Sequence, residues 1–427
     1  MLEAIKTAFK IPDLRKKIFW TLALLGIFRL GTYIPIPGNW DPEQLRNLFG
    51  EGNLFSLMDL MAGGALKKMS VFAMSVNPYI TSSIIIQLLT MVIPSLQQLA
   101  KEGGEGRKKI SQYTRYGTVV LSLIQGTTMA FGLQGALREP TAWDFILIIS
   151  SLTAGSVFLM WLGEVISERG IGNGISMLIF AGIVARLIPG GIGVLQNVGA
   201  KGVGASFLSV ILLGIMAILI VAGIVFVTQG ERKIPVQYAK RMVGRKMYGG
   251  GSTYLPMRVN QAGVIPIIFA SSILLFGPTI GSYLPKTSWL HKFLMYFSYG
   301  GTLYSILYAI LIFVFTYFYT AVSFNPVEVA DNMKKYGGFI PGIRPGKPTA
   351  EYLDRVLTRI TLAGALFLTI VSLLPQVWGY LPGFQGLKSI TVSLGGTSIL
   401  IAVGVAIDTM KQIEAQLLMR QYEGFLK

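Results

Sequence analysis

Long apolar runs alternate with short polar or basic segments along the whole chain, at roughly 18–36, 75–94, 116–136, 145–164, 175–190, 206–229, 262–283, 303–324, 356–375 and 394–412. A hydrocarbon core about 30 Å thick needs roughly 20 apolar residues per helix, so each run predicts a membrane span. The reading is an all-α membrane protein with about ten transmembrane helices. An even number places both termini on the same side. One stretch, SLMDLMAGGALKKMS, lies between the first two spans and does not fit this scheme. Leu54 to Leu66 predicts about thirteen helical residues, roughly 20 Å at 1.5 Å per residue, too short to cross. Bulky Leu57, Leu60, Met61 and Leu66 stand beside Asp59, Lys67 and Lys68, and Gly63 with Gly64 permits a sharp junction. Bare helix ends are costly in lipid. The stub therefore rests on the outer surface as an interfacial amphipathic helix, or folds back into a funnel within the protein.

The spans are not uniform. The second, VFAMSVNPYITSSIIIQLL, carries Asn77, Pro78, Thr81, Ser82, Ser83 and Gln87; the seventh, QAGVIPIIFASSILLFGPTIG, carries Pro266, Ser271, Ser272 and Pro278. Spans broken by proline and dotted with hydroxyls line cavities more often than they face lipid, because freed backbone groups need partners. These two hold the second place in spans one to five and in spans six to ten. That correspondence points to pseudo-symmetric five-helix halves with a site between them: 1–200, with the stub at 54–68, and 201–427, with polar loops at 230–261 and 325–355. Ordinary proline-kinked packing helices give the same pattern, and the pattern alone does not choose between the two.

Composition supports the membrane assignment. The chain is 52% hydrophobic and 13% charged, with a mean hydropathy of +0.59, whereas soluble domains carry about 25% charged residues. The net charge of +17 is unevenly spread. Basic residues gather before the first span (Lys6, Lys10, Arg15, Lys16, Lys17) and after the second (Lys101, Arg107, Lys108, Lys109, Arg115). They gather again after the sixth (Arg232, Lys233, Lys240, Arg241, Arg245, Lys246, Arg258) and after the eighth (Lys334, Lys335, Arg344, Lys347, Arg355). The alternate loops are sparse. Positive-inside bias then predicts basic loops and both termini in the cytoplasm. No small-residue cleavage site follows the first apolar run, which reads as a retained span.

The sequence holds no cysteine and one histidine, His291, which excludes disulfides, thiolate metal sites and cysteine nucleophiles. Gly342-Ile-Arg-Pro-Gly-Lys347 has its glycines one residue too close for a phosphate loop, and Pro348 replaces the magnesium-binding hydroxyl. Gly170, Gly172 and Gly174 lack dinucleotide-fingerprint spacing. Ion-coupled solute transporters keep ionisable groups inside the membrane. Here Glu164 and Asp408 fall near predicted cytoplasmic ends, and Arg29 is the one charge well inside a span. A solute transporter would need a midplane acidic site, and a membrane enzyme would need a nucleophile and base; the spans supply neither. No catalytic role, cofactor or metal is expected.

The stretches FRLGTYIPIPG, MAGGALKKMSVFAMSVNPYITSSIIIQLL, KEGGEGRKKISQYTRYGT, MWLGEVISERGIGNGIS, YAKRMVGRKMYGGGSTYLPMRVNQAGVIPIIFASSI and FNPVEVADNMKKYGGFIPGIRPGKPTAEYLDRVLTRITL occur in this order, followed by GGTSILI. Together they closely resemble the bacterial SecY family over essentially the whole chain. The resemblance implies a SecY-type translocon fold. It also implies passive movement of unfolded polypeptides across the inner membrane and sideways release of apolar helices into lipid. On that basis the stub is a plug, with Leu57, Asp59, Leu60, Met61, Gly63 and Gly64 in it. A constriction ring would be built from Val76, Ile80, Ile175, Ile179, Ile268 and Ile401, with valine where the family commonly has isoleucine. Spans two/three and seven/eight become a lateral gate with Gln87 and Asn260 at its seam. Lys240, Arg241, Arg245, Lys246 and Arg344 become docking residues for the SecA motor ATPase or a translating ribosome. The further partners implied are SecE and SecG, small membrane subunits, together with unfolded preproteins, signal sequences and membrane lipid.

Overall fold

A computed structural model describes residues 9–41, 43–44, 59, 62–138, 140–199, 207–238, 241–243, 246–248, 252–281, 288–296, 301–378 and 396–425. Every apolar run predicted as a span falls on a helix. The first group is α1 (Pro12–Gly31), α2 (Asn77–Val92), the short α3 (Pro94–Lys101), α4 (Gly104–Gly132), α5 (Ala142–Arg169) and α6 (Gly174–Gly199). The second is α7 (Phe207–Gln229), α8 (Ile265–Gly281), α9 (Trp289–Met295), α10 (Thr302–Ser323), α11 (Pro326–Lys335), α12 (Lys347–Trp378) and α13 (Gly396–Phe425). Four long helices among the described residues are apolar enough to cross a membrane unaided, or five if α2 and α3 count as one broken span. Large apolar side chains point outward, Phe226 with 81% of its surface bare. The cost of leaving such surface in water marks a multi-pass membrane protein.

Local chemistry sets the helix ends. Thr141 and Asp144 cap α5 reciprocally, and the Asn325 side chain accepts from the amides of Val327 and Glu328 to start α11. Ile93 takes an extended conformation before Pro94, as residues preceding proline prefer, and the chain turns by 101° into α3.

Within the first group α4 packs on both α2 and α5, and α6 packs on α5; within the second α10 packs on α8 and α12, and α13 on α7 and α12. The groups touch along two seams, α2 with α8 and α6 with α13. One apolar cluster runs through both groups, from Phe28, Leu66 and Ile80 to Ile268, Ile312 and Ile401. A smaller one clasps them together on the side of the basic loops, where Leu14 and Ile171 meet Ile413 and Leu417.

The basic loops add strands that the sequence reading does not predict. β1 (Glu231–Tyr238) pairs antiparallel with β4 (Ser252–Arg258), and β5 (Gly338–Phe339) from the other loop joins its far edge at Gln237 and Tyr238. Pro235 has no N–H to donate, and β5 does not extend as far as Pro235. β2 (Arg241–Val243) and β3 (Lys246–Tyr248) form a separate hairpin. Ile234, Val236 and Met257 face Met333, Ile340, Leu353 and Leu357, so the two loops share a core of their own. Leu353, wholly buried there, is expected to cost about 2–5 kcal/mol of local packing when cut to alanine. The expected readout is faster protease nicking within 230–261 and 325–347, with the membrane helices intact.

Candidate functional site

Four helices drawn from both groups carry ring candidates into one apolar cluster. Ile80 lies in the first turn of α2 and Val76 at its N-cap; Ile179 comes from α6, Ile268 from α8 and Ile401 from α13. All five are buried in the cluster that spans the two groups. Ile175, one turn before Ile179, only borders that cluster and lies with its Cδ1 against Gly163 of α5. Five of the six ring candidates thus belong to this one extended cluster, and Ile175 borders it. An aliphatic lining has no fixed charge or hydrogen-bond pattern, so it discriminates little among side chains passing it and disfavours water when closed.

The described part of the stub, Asp59 and residues 62–68, lies largely inside the protein. Ala62, Gly63, Ala65, Leu66 and Met69 are buried, while Lys67 and Lys68 reach outward. Leu57, Leu60 and Met61 lie outside the described residues. The helix expected to run to Leu66 is corrected here: 62–69 forms turns, with positive φ at Gly63 (65°), Gly64 (87°) and Met69 (47°). A right-handed helix cannot pass through such backbone. The Asp59 carboxylate, its side chain 3% exposed, accepts from Arg186 Nη1 at 2.9 Å and from the Lys67 amide at 2.8 Å. Arg29 Nη1 donates to the Gly63 carbonyl at 3.4 Å, which gives the intramembrane arginine its partner. A Cβ on Gly63 would lie 2.7 Å from the Gly182 Cα, so the two backbones touch.

The flanks of this segment are tightly held. Ile36 donates to Met69 and Val71 to Ile34 across a short bridge. Ser70 Oγ donates to the Gly31 carbonyl at 2.9 Å. The Phe72 ring stacks between Phe28 and Phe158 and fills the space beside Gly31 that a side chain would need.

The remaining candidates are less gathered. Gln87 Nε2 donates to Ser83 Oγ on its own helix at 3.4 Å. Asn260 is buried before α8, its Oδ1 without a partner, and lines a cavity of about 520 Å³ with Asn173, Gln261, Asp408 and Gln412. No hydrogen bond joins Gln87 to Asn260. The helix that bears Gln87 and the helix that follows Asn260 are nonetheless neighbours along the α2/α8 seam. Arg241 and Lys246 fall in the β2–β3 hairpin; Lys240 and Arg245 lie outside the described residues. Arg344 is exposed in the turn before α12, where Thr349 Oγ1 donates to its carbonyl at 2.9 Å.

Sequence reasoning missed Arg186 and Gly182 as partners of the stub. The signal that could have found them is their spacing from Ile179, which puts all three on one face of α6.

The model of the family named SecY matches residues 70–410. The protein translocase subunit SecY of Streptomyces coelicolor is 48% identical over a 446-residue alignment that covers all of both chains. That of Mycobacterium tuberculosis H37Rv is 47% identical over 450, again covering both chains fully. Among solved structures, one described as "The structure of a protein conducting channel" superposes with a TM-score of 0.64 at 19% identity, over 96% of each chain. A second, described as "The plug domain of the SecY protein stablizes the closed state of the translocation channel and maintains a membrane seal", gives 0.61 at 18%, with the same coverage. "Sec61 in the Canine ribosome-channel complex from the endoplasmic reticulum" gives 0.60 at 17%, also over 96% of each. At these identities the structural likeness speaks for the fold.

Proposed function

The chain belongs to the SecY family of protein translocase subunits, a protein-conducting channel, and we propose that its pore runs through the waist between the two helix groups. The chain performs no chemistry of its own in this reading. Val76, Ile80, Ile175, Ile179, Ile268 and Ile401 form the constriction, and the segment 54–68 is the plug that seals its outer side. The observation that carries this is that Val76, Ile80, Ile179, Ile268 and Ile401, from four helices of both groups, are buried in one apolar cluster with Ala62, Ala65 and Leu66 of the stub. Apolar helices leave for lipid through the α2/α8 seam, where the polar side chains Gln87 and Asn260 ease parting once water replaces lost hydrogen bonds.

The joined basic loops form the docking platform for the SecA motor or a translating ribosome. Support comes from their shared core, their charge and the ribosome complex of the canine relative. Lys240, Arg241, Arg245 and Lys246 meet acidic protein or RNA phosphates, contacts that weaken with salt. SecE and SecG are the small subunits that complete the assembly. The chain sits in the inner membrane with both termini in the cytoplasm, because the basic loops follow even-numbered spans.

The absence of native cysteine allows a clean test. A secretory chain carrying one cysteine and stalled in transit is expected to form disulfides with Ile80→Cys and Ile268→Cys, and none with Phe226→Cys on the lipid-facing surface. Adducts confined to Phe226→Cys would remove the pore from this place.

A further inference from the structure

We propose that a polar latch holds the channel shut, in which Arg186 of α6 grips the Asp59 carboxylate of the plug and Arg29 of α1 grips the Gly63 carbonyl. The proposal rests on the reading of 57–66 as a plug and names what regulates it. Both oxygens of the Asp59 carboxylate are engaged, one by the guanidinium at 2.9 Å and one by the Lys67 amide at 2.8 Å. A carboxylate removed from water so completely needs a charged partner. Its separation from Arg186 becomes tolerable only when water reaches the carboxylate. The paired state therefore keeps Asp59 dry and the channel closed, and the parted state is hydrated and open.

The position of Arg186 ties the latch to the waist. Ile179, Gly182 and Arg186 follow one another at helical spacing along one face of α6. The same helix therefore bears a waist residue, the backbone seat for Gly63 and the latch arginine. Ile179 and Arg186 are about 10 Å apart along the axis at 1.5 Å per residue. A polypeptide that pushes Ile179 outward carries Arg186 away from Asp59 and unseats Gly63 in one movement. Arg29 holds the opposite side of the same turn, through the carbonyl next to the Gly64 hinge.

The test measures resting ion leak of the reconstituted translocase in planar bilayers, together with export of a preprotein whose signal sequence is defective. Asp59→Asn and Arg186→Gln are each expected to raise the leak about tenfold and to admit the defective preprotein, with Arg186→Lys intermediate. The swapped pair Asp59→Arg with Arg186→Asp is expected to return the leak to within about twofold of the starting protein, since it restores the attraction. Deletion of Leu57–Leu66 is the reference. If that deletion raises the leak while Asp59→Asn and Arg186→Gln do not, the latch is wrong and the plug stands. If the single variants leak and the swap does not restore closure, the two groups act separately and the latch is equally wrong. If neither deletion nor substitution raises the leak, the plug reading falls and the latch with it. Export of a normal preprotein by each variant shows that the protein has folded and assembled.

Discussion

Deleting Leu57–Leu66 is expected to raise the resting conductance of the channel in planar bilayers about tenfold or more. Leu66 and Ala65 are wholly buried and Ala62 nearly so. Burying a leucine stabilises by about 1.5–3 kcal/mol, and each 1.4 kcal/mol shifts a closed–open equilibrium about tenfold. The deletion removes Asp59 and Gly63 as well, so the ion pair with Arg186 and the contact with Gly182 go with it. It spares the bridge between Ile34–Ile36 and Met69–Val71 and the Phe28–Phe72–Phe158 stack, so the walls of the funnel keep their packing. The waist residues also remain, and an aliphatic constriction still dewets from time to time. The leak should therefore flicker rather than stay continuously open. An unchanged conductance would take the plug away from this segment.

Arg344→Glu is expected to lower motor-driven export by about a hundredfold while leaving the folded channel intact. The side chain is exposed, and substitutions at such sites usually change stability by no more than about 0.5 kcal/mol. Its backbone, by contrast, is tightly specified. Gly342 and Gly346 take positive φ on either side (81° and 102°), Pro341 and Pro345 fix the turn, and Ile343 donates to the Ile340 carbonyl at 3.0 Å. A charge presented on so rigid a turn loses little entropy on docking. Truncating one partner of a buried interfacial charge pair costs about 2–5 kcal/mol, and reversal of the sign adds repulsion. ATP-dependent export into proteoliposomes at two salt concentrations checks this. Export that is equal for both proteins would place the motor contact elsewhere.

Particular residues separate what the sequence made legible from what it did not. The apolar runs located the helices to within a few residues at most ends, because about twenty consecutive apolar residues have few other stable arrangements. The apolar run at 75–94 placed the end of α2, but not the 101° turn that follows it, since the direction of the next helix depends on what it packs against. The Leu54–Leu66 pattern suggested a helix, whereas residues 62–66 form turns. Gly63 and Gly64 permit either form, and contact with Gly182 favours the turn. Ile80, Ile179, Ile268 and Ile401 carry no signal of their own among so many aliphatic residues, and only the family resemblance singled them out. Ile175 borders the same cluster and lies beside Gly163, where α5 packs on α6.

The sequence by itself determined that this is a multi-pass membrane protein, where its helices lie, which loops are basic and to which family it belongs. Those properties are sums over neighbouring residues, and transfer from water to lipid acts on such sums directly. The tertiary structure alone decided that Asp59 meets Arg186, 127 positions away, that Arg29 finds its partner in the Gly63 carbonyl, and that two separate basic loops close into one sheet. Each of these is a pairing between distant segments. Its energy exists only after the helices have chosen their neighbours, so no local pattern of hydrophobic and polar positions can encode it.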